Sequence, residues 1–294
     1  KAWNDWTAVL LRELFLKVLS ILERGELASQ EAVAVVERKR HEILKNATDE
    51  TDRAEREALF AAMSPRYLLY MPTEFIDEHL DLFRRLGSRQ FVWTIKKANG
   101  ADTRTVIICG RDRPGLFSKI AGVFTLNGVD ILDAQIFTWK NGIALDVFEV
   151  KPPPDQLFED ERWHRAEEQL GAALSGDLDV SATLAERMQE YRPRRPRIAD
   201  HPHRVEVDNE TSSFFSIVEV ITYDFLGLLF SITDTLFRCG LDIWIAKIAT
   251  RIDQVVDVFY VRDVYGQKVV EPEKVAMIQK AILEVLPDTA SEEG

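Results

Sequence analysis

The sequence predicts an α+β protein in which an all-helical region, residues 1–100, precedes two copies of one mixed unit, residues 101–210 and 211–294. Three observations lead to this class. One stretch of sequence occurs twice, and strand-like and helix-like patterns alternate within each occurrence. The first hundred residues, in contrast, carry apolar positions at helical spacing.

The helical region is predicted from these stripes of apolar side chains. A first stripe covers residues 6–22, and further helices are expected to begin near Ser29, Thr51 and Thr73. The tryptophans of the first stripe either face a neighbouring domain or pack within the region itself. The sequence leaves both alternatives open.

The first copy reads as strands and helices in a fixed order. Pro114 suits the first turn of a helix, Gly128 suits a helix end, and Asn141-Gly142 is a strong hairpin signal. The resulting order is β-α-β-β-α-β, the split ferredoxin-like unit. Its predicted elements are residues 105–109, 116–126, 130–139, 143–150, 161–174 and 203–208.

The second copy repeats the first about 112 positions later, with turn residues, strand faces and a helix start all recurring. The matches include Asp112/Asp224, Gly115/Gly227, Gly128/Gly240, Asp130/Asp242, Ala134/Ala246 and Asp146/Asp257. After its last predicted helix, Glu273 to Val285, little more than the predominantly polar segment Pro287 to Gly294 remains. The second copy is therefore expected to lack its fourth strand, unless the strand near 204–208 pairs across both sheets.

Composition restricts the class of function. The net charge of −12 lies entirely after residue 100, because residues 1–100 carry equal numbers of acidic and basic side chains. An acidic surface argues against nucleic acid, and no apolar run is long enough to span a membrane. The short basic patch at 192–197 is expected to be a solvated linker, with docking to an acidic partner as the alternative. Two isolated cysteines suit a reducing compartment, so we expect a cytoplasmic protein.

The turn Arg111-Asp112-Arg113-Pro114-Gly115-Leu116, between a strand and an amphipathic helix that ends before Asn127-Gly128-Val129-Asp130-Ile131, resembles the opening of an ACT domain, a small-molecule sensing module. The tandem arrangement, with a Pro/Arg-rich connector at 191–203, is similar to the C-terminal regulatory part of bifunctional PII uridylyltransferase/uridylyl-removing enzymes. In the second copy, Phe225-Leu226 replaces the usual Arg-Pro. The resemblance covers essentially the whole chain, with residues 1–100 corresponding to a helical linker.

The resemblance implies a function for the parent enzyme and a role for this chain within it. The enzyme transfers uridylyl groups from UTP, with magnesium, to the PII nitrogen-signalling protein, and removes them by hydrolysis. This chain would sense glutamine as effector and signal to its own catalytic domains. The motifs of those domains are missing here: Gly87-Ser88 has no paired aspartates after it, and no His-Asp dipeptide occurs. We therefore expect no catalytic residue, metal site or cofactor in this chain.

The resemblance also implies where an amino acid binds. In ACT domains that bind amino acids, the contacts come from the turn after the first strand and from the residue that opens the second strand. Here these positions are Asp112, Pro114, Gly115, Leu116, Asp130, Asp224, Gly227, Leu228 and Asp242. The glycine turns begin helices whose amides favour an anion, and the aspartates suit an ammonium group.

Two alternatives remain at this stage. Aspartates beside turns often bond their own backbone, so the four carboxylates are either ligand contacts or turn-stabilising groups. If they are ligand contacts, either one or both of the interfaces between the copies bind a ligand. The alternative function is an ACT-repeat interaction module that binds another amino acid, or none, and acts through dimerisation. A homodimer is left open in either case.

Overall fold

The computed structural model describes residues 30–97, 102–153, 158–190, 203–251 and 254–287. The predicted stripe at 6–22 and the basic patch at 192–197 lie outside these residues. Four helices open the described chain: α1 (Gln30–Lys45), α2 (Glu50–Ala62), α3 (Pro65–Tyr70) and α4 (Thr73–Leu86).

Side-chain caps explain where two of these helices begin. The Asp49 carboxylate accepts a hydrogen bond from the backbone amide of Asp52 at the start of α2. Ser64 does the same for Tyr67 at the start of α3, where Pro65 occupies the first turn. Both arrangements satisfy amides that have no partner within the helix.

The first repeat contains four strands and three helices. They are β1 (Phe91–Lys97), β2 (Arg104–Arg111), α5 (Leu116–Leu126), β3 (Asp130–Thr138), β4 (Ile143–Lys151), α6 (Glu159–Ser175) and α7 (Val180–Glu190). The predicted helix at 161–174 is confirmed as the main part of α6. The helix α7 was not predicted.

The second repeat contains four strands and two helices. They are β5 (Arg204–Asp208), β6 (Ser216–Thr222), α8 (Leu228–Arg238), β7 (Leu241–Arg251), β8 (Gln254–Asp263) and α9 (Pro272–Val285). The α+β class is confirmed, since an eight-stranded antiparallel sheet follows the helices in the order β1-β2-β4-β3-β7-β8-β6-β5.

Two structural assignments made from the sequence are wrong, one of a strand's pairing and one of a helix. Residues 204–208 do not complete the first copy, nor do they pair across both sheets: β5 pairs with β6 of the second copy. Residues 91–97, predicted to be helical, form β1 and pair with β2. Each repeat therefore runs β-β-α-β-β-α, and the second has its fourth strand. A short strand pattern does not reveal which strand it pairs with. Residues 204–208 lie between the two copies in the sequence, so they were assigned to the wrong one.

The pairing of β3 with β7 joins the two repeats into one sheet. Its register places Ala134 opposite Ala246, and these residues are equivalent in the two copies. A pseudo-two-fold axis therefore passes between them, and both alanines are completely buried. One step away, an ion pair between Asp133 and Lys247 breaks the symmetry, because the equivalent positions hold Ile245 and Gln135.

The sheet of the first repeat is covered on both faces. Val106 and Ile108 of β2 belong to the core under α5 and α6. Ile107 and Cys109 face the opposite way and pack with the helical region α1–α4. Burial on both faces explains why β2 reads as a continuous apolar run rather than an alternating one.

Aromatic contacts attach the helical region to the β3–β4 hairpin. The Tyr67 ring lies edge-on to those of Phe137 and Trp139, with centroids 5.3 Å and 5.6 Å away. The Tyr67 hydroxyl and His79 Nδ1 are hydrogen-bonded at 2.7 Å. Burial lowers the pKa of His79 to about 4, so this imidazole is a neutral structural group at physiological pH.

The helices α5 and α8 approach each other closely at Gly122. A methyl group at Gly122 would lie 2.7 Å from Phe230 Cδ2 and would also overlap Val180. We expect Gly122→Ala to lower the free energy of unfolding by about 1–3 kcal/mol through overpacking, measured by urea denaturation.

Gly171 in α6 is the matched control, because nothing lies within 4 Å of a methyl group there. Gly171→Ala should raise the free energy of unfolding by about 0.5–1 kcal/mol through helix propensity alone. Equal stabilisation by both substitutions would contradict the close approach of α5 and α8.

Candidate functional site

The first repeat builds a tight turn between β2 and α5. Gly115 precedes the helix with a φ of 75°, in the left-handed region that favours glycine. A Cβ there would lie 3.3 Å from Cε1 of Phe237, which comes from the second repeat. The Asp112 amide donates to the Gly142 carbonyl at 2.9 Å, and the Thr138 hydroxyl donates to the Asp112 carboxylate. These bonds hold Asp112 between the turn and the hairpin.

The second repeat keeps the same turn conformation despite its different sequence. Gly227 precedes α8 with a φ of 84°, close to that of Gly115. Phe225 and Leu226 therefore preserve the backbone while changing the side chains. Leu228, like Leu116, is buried at the first position of its helix.

The pseudo-two-fold axis brings the predicted aspartates together in crossed pairs. Asp112 lies close enough to Asp242 for its charge to raise the pKa of the Asp242 carboxyl. In the same way, Asp130 raises the pKa of Asp224. Each pair thus combines the turn of one repeat with the start of β3 or β7 from the other repeat.

We refer to the cleft that contains Asp112 and Asp242 as cleft 1, and to the pseudo-symmetric region around Asp130 and Asp224 as cleft 2. The empty space of cleft 1, with the open solvent at its mouth, is about 450 Å³. Gly115 and Leu116 line it, whereas Pro114 is exposed and does not. Its remaining lining residues are Arg113, Phe117, Ser118, Ile136, Thr138, Ala144, Asp146, Thr233, Phe237, Leu241 and Ile243.

The carboxyl groups at the mouth of cleft 1 have shifted pKa values. Asp112 and Asp242 remain open to solvent on one side, while the protein around them removes part of their hydration. This loss of hydration raises the pKa of Asp112, and together with the charge of Asp112 it raises that of Asp242 to about 6. A cationic group bound between them would relieve both effects.

Sequence reasoning missed Asp146, which lies in β4 at the floor of cleft 1. Its side chain is completely buried, and burial followed by the charges of Asp112 and Asp242 raises its pKa well above the usual value. The Phe137 amide donates a hydrogen bond to this carboxyl. A signal was present, since an aspartate stands at a core-facing position of an apolar strand and recurs as Asp257.

Sequence reasoning also missed Arg113, a cation at the wall of cleft 1. Its guanidinium donates to the Leu174 carbonyl at 2.9 Å, at the end of α6. Lys119, in the first turn of α5, donates to the Ala173 carbonyl, also at 2.9 Å. The two cations complement the negative end of the α6 dipole and fix the cleft against that helix.

Cleft 2 obtains its positive charge from a different position. Burial raises the pKa values of Asp130 and Asp224, and Lys151, which pairs across the strands with Asp130, partly offsets this rise. At the equivalent position in the second repeat, Arg262 donates to the Phe214 carbonyl at 2.8 Å and lies 4.5 Å from the centre of the Phe215 ring. The two clefts therefore share a backbone plan but differ in electrostatics.

Within the described ranges, no group of three or more His, Cys, Asp and Glu side chains is arranged to hold a metal ion. His203 bonds the Thr222 hydroxyl at 2.8 Å and the Pro287 carbonyl at 2.7 Å. Its sequence neighbour His201 lies outside the described residues. Among the helices that the structure describes, none has the length and apolarity needed to cross a membrane.

The chain is similar over almost its full length to bifunctional uridylyltransferase/uridylyl-removing enzymes. The enzyme of Rhodospirillum rubrum is 33% identical over 290 residues, which are 98% of this chain and 31% of that protein. The enzyme of Azospirillum brasilense is 33% identical over 293 residues, again 98% and 31%. The enzyme of Gluconobacter oxydans is 33% identical over 287 residues, or 96% and 30%. No family model matches the chain.

These relatives confirm the predicted resemblance. The chain spans about 31% of their length, as expected for one portion of such an enzyme. Among solved structures, the regulatory subunit of aspartate kinase from Thermus thermophilus covers 67% of the chain and is itself covered to 97%, at 12% identity and a TM-score of 0.19. A score of this size supports no argument about function.

The electrostatics of cleft 1 can be tested without any ligand. We expect carbon-detected NMR to find the Asp242 carboxyl titrating at about 6, well above the usual range for aspartate. Asp112→Asn should lower this pKa, because it removes the repelling charge while leaving the burial. Asp208→Asn, at the edge strand β5, should leave it unchanged. An Asp242 pKa in the ordinary range would contradict the geometry of cleft 1.

Proposed function

We propose that this chain is the amino-acid-sensing regulatory part of a PII uridylyltransferase/uridylyl-removing enzyme, and that it binds glutamine in cleft 1. The observation that carries the proposal is the convergence of Asp112 and Asp242 from different repeats on a cleft at the start of α5. The similarity to these enzymes, over 98% of the chain, supports the enzyme class.

The cleft provides a partner for each charged group of a free amino acid. The ammonium lies between the Asp112 and Asp242 carboxylates, where it offsets their mutual repulsion. The carboxylate faces the amides of the first turn of α5 and the Arg113 guanidinium. Since the two halves of the cleft belong to different repeats, ligand binding ties the repeats together.

We also propose a wider role, which rests on the resemblance to these enzymes. In the whole enzyme, glutamine bound here signals to catalytic domains that use magnesium, attach uridylyl groups to the PII protein and remove them, with glutamine favouring removal. The setting is the cytoplasm. The helical region α1–α4 lies on the far face of the sheet from α5, against β1 and β2. This position suits a connection between the sensor and the rest of the enzyme.

Calorimetric titration of the chain with L-glutamine tests the proposal. Asp112→Ala removes a hydrogen bond to a charged group, about 1.5–3 kcal/mol, so we expect binding to weaken roughly 10- to 150-fold. The melting temperature without ligand should change little. Asp160→Ala, at an exposed position in α6, removes the same charge away from the cleft and should bind as wild type.

Two results would count against this site. No heat with glutamine in the wild type would contradict amino-acid sensing by this chain. Normal glutamine binding by Asp112→Ala, together with a melting temperature several degrees lower, would make Asp112 a turn-stabilising residue.

The pKa of Asp242 also predicts a pH dependence of binding. A bound ammonium favours the charged carboxylate, so protonation of Asp242 competes with the ligand. We expect the affinity for glutamine to be level near pH 7.5 and to fall below pH 6, approaching about tenfold per pH unit for one linked proton. Asp242→Asn should bind weakly and lose this dependence. A wild-type affinity that is flat between pH 7.5 and 5 would contradict the role of Asp242.

A further inference from the structure

The floor of cleft 1 contains a buried polar atom that the fold does not use. Asp146 is 1% exposed, and in the part of the chain that the structure describes its Oδ1 atom has no hydrogen-bond partner. The Phe137 amide donates a hydrogen bond to this carboxyl. Because an unmet buried oxygen costs free energy, its retention calls for an explanation.

We propose that Asp146 contacts the side chain of the amino acid bound in cleft 1, and that this contact selects a carboxamide over a carboxylate or an apolar chain. The inference rests on the proposed function, since it assigns the specificity of the same site. Asp112 and Asp242 hold the ammonium at the mouth, and Asp146 meets the distal end of the ligand at the floor.

Small residues line cleft 1 beside the buried carboxyl of Asp146. Ala144 is two positions away on the same face of β4, and Ser118 lines the cleft from α5. In the second repeat, these positions hold Val255 and Phe230, both buried. The space beside the buried carboxyl is therefore a property of the first repeat and not of the repeated backbone.

The chemistry of a protonated carboxyl matches a carboxamide. Burial and the neighbouring charges of Asp112 and Asp242 raise the pKa of Asp146 well above its usual value, which favours the protonated form. It then offers an O–H donor and an acceptor, which complement the carbonyl and amino groups of an amide. A carboxylate would add a further negative charge beside three acidic groups. An apolar chain would leave Oδ1 unmatched.

Competition titrations of the 294-residue chain with L-glutamine, L-glutamate and L-norleucine test the inference. The wild type should prefer glutamine over both. Asp146→Leu should reduce the preference for glutamine over norleucine by about two- to tenfold, the value of one lost hydrogen bond between neutral groups. Asp146→Asn should narrow the preference for glutamine over glutamate, because an asparagine amide donates to a carboxylate as well as to an amide and never carries a repelling charge of its own.

Asp257→Asn is the matched control, since it alters the equivalent buried aspartate of the second repeat and should leave these ratios unchanged. Unchanged ratios in both Asp146 variants, or an equal change in Asp257→Asn, would overturn the inference while leaving glutamine sensing intact. If Asp146→Leu does not fold, the glutamine-to-glutamate ratio of Asp146→Asn decides. A wild type that binds none of the three amino acids would overturn the proposed function as well.

Discussion

The antiparallel pairing of β3 with β7 is the contact on which the rest of the structure depends. It sets Ala134 against Ala246, so that the two repeats are related by a pseudo-two-fold axis through one continuous sheet. Only this register places the turn of each repeat beside the start of β3 or β7 in the other. A shift by one residue would reverse the face of every side chain in the strand and separate the crossed aspartate pairs. The candidate site is therefore a consequence of strand register.

Repetition of the backbone has not kept the two clefts chemically alike. Both turns hold a left-handed glycine before a helix, and both clefts contain a crossed pair of aspartates. Arg113 supplies a cation to cleft 1, where Phe225 stands in the other copy, and Lys151 supplies one to cleft 2. A shared scaffold with different side chains allows one cleft to specialise for a ligand while the other contributes to the joint between the repeats.

Much of this could be predicted from the sequence because the signals are local. Turn glycines, helix stripes and the repeat itself identified most elements, and the resemblance identified the four aspartates. Strand pairing could not be predicted, because β1 and β5 are short edge strands whose partners are chosen by the whole sheet. Asp146 was missed for a related reason: its burial depends on α5 lying over β4, and this is not visible in the local sequence. Arg113 was passed over because its direction is set by the distant end of α6.

A crystal structure of the chain grown with L-glutamine at neutral pH tests the central claim most directly. The account predicts one amino acid in cleft 1, with its ammonium between the carboxylates of Asp112 and Asp242 and its amide at Asp146. Glutamine bound within a single repeat, or on a surface remote from the β3–β7 junction, would contradict the claim that pairing of the two repeats creates the site.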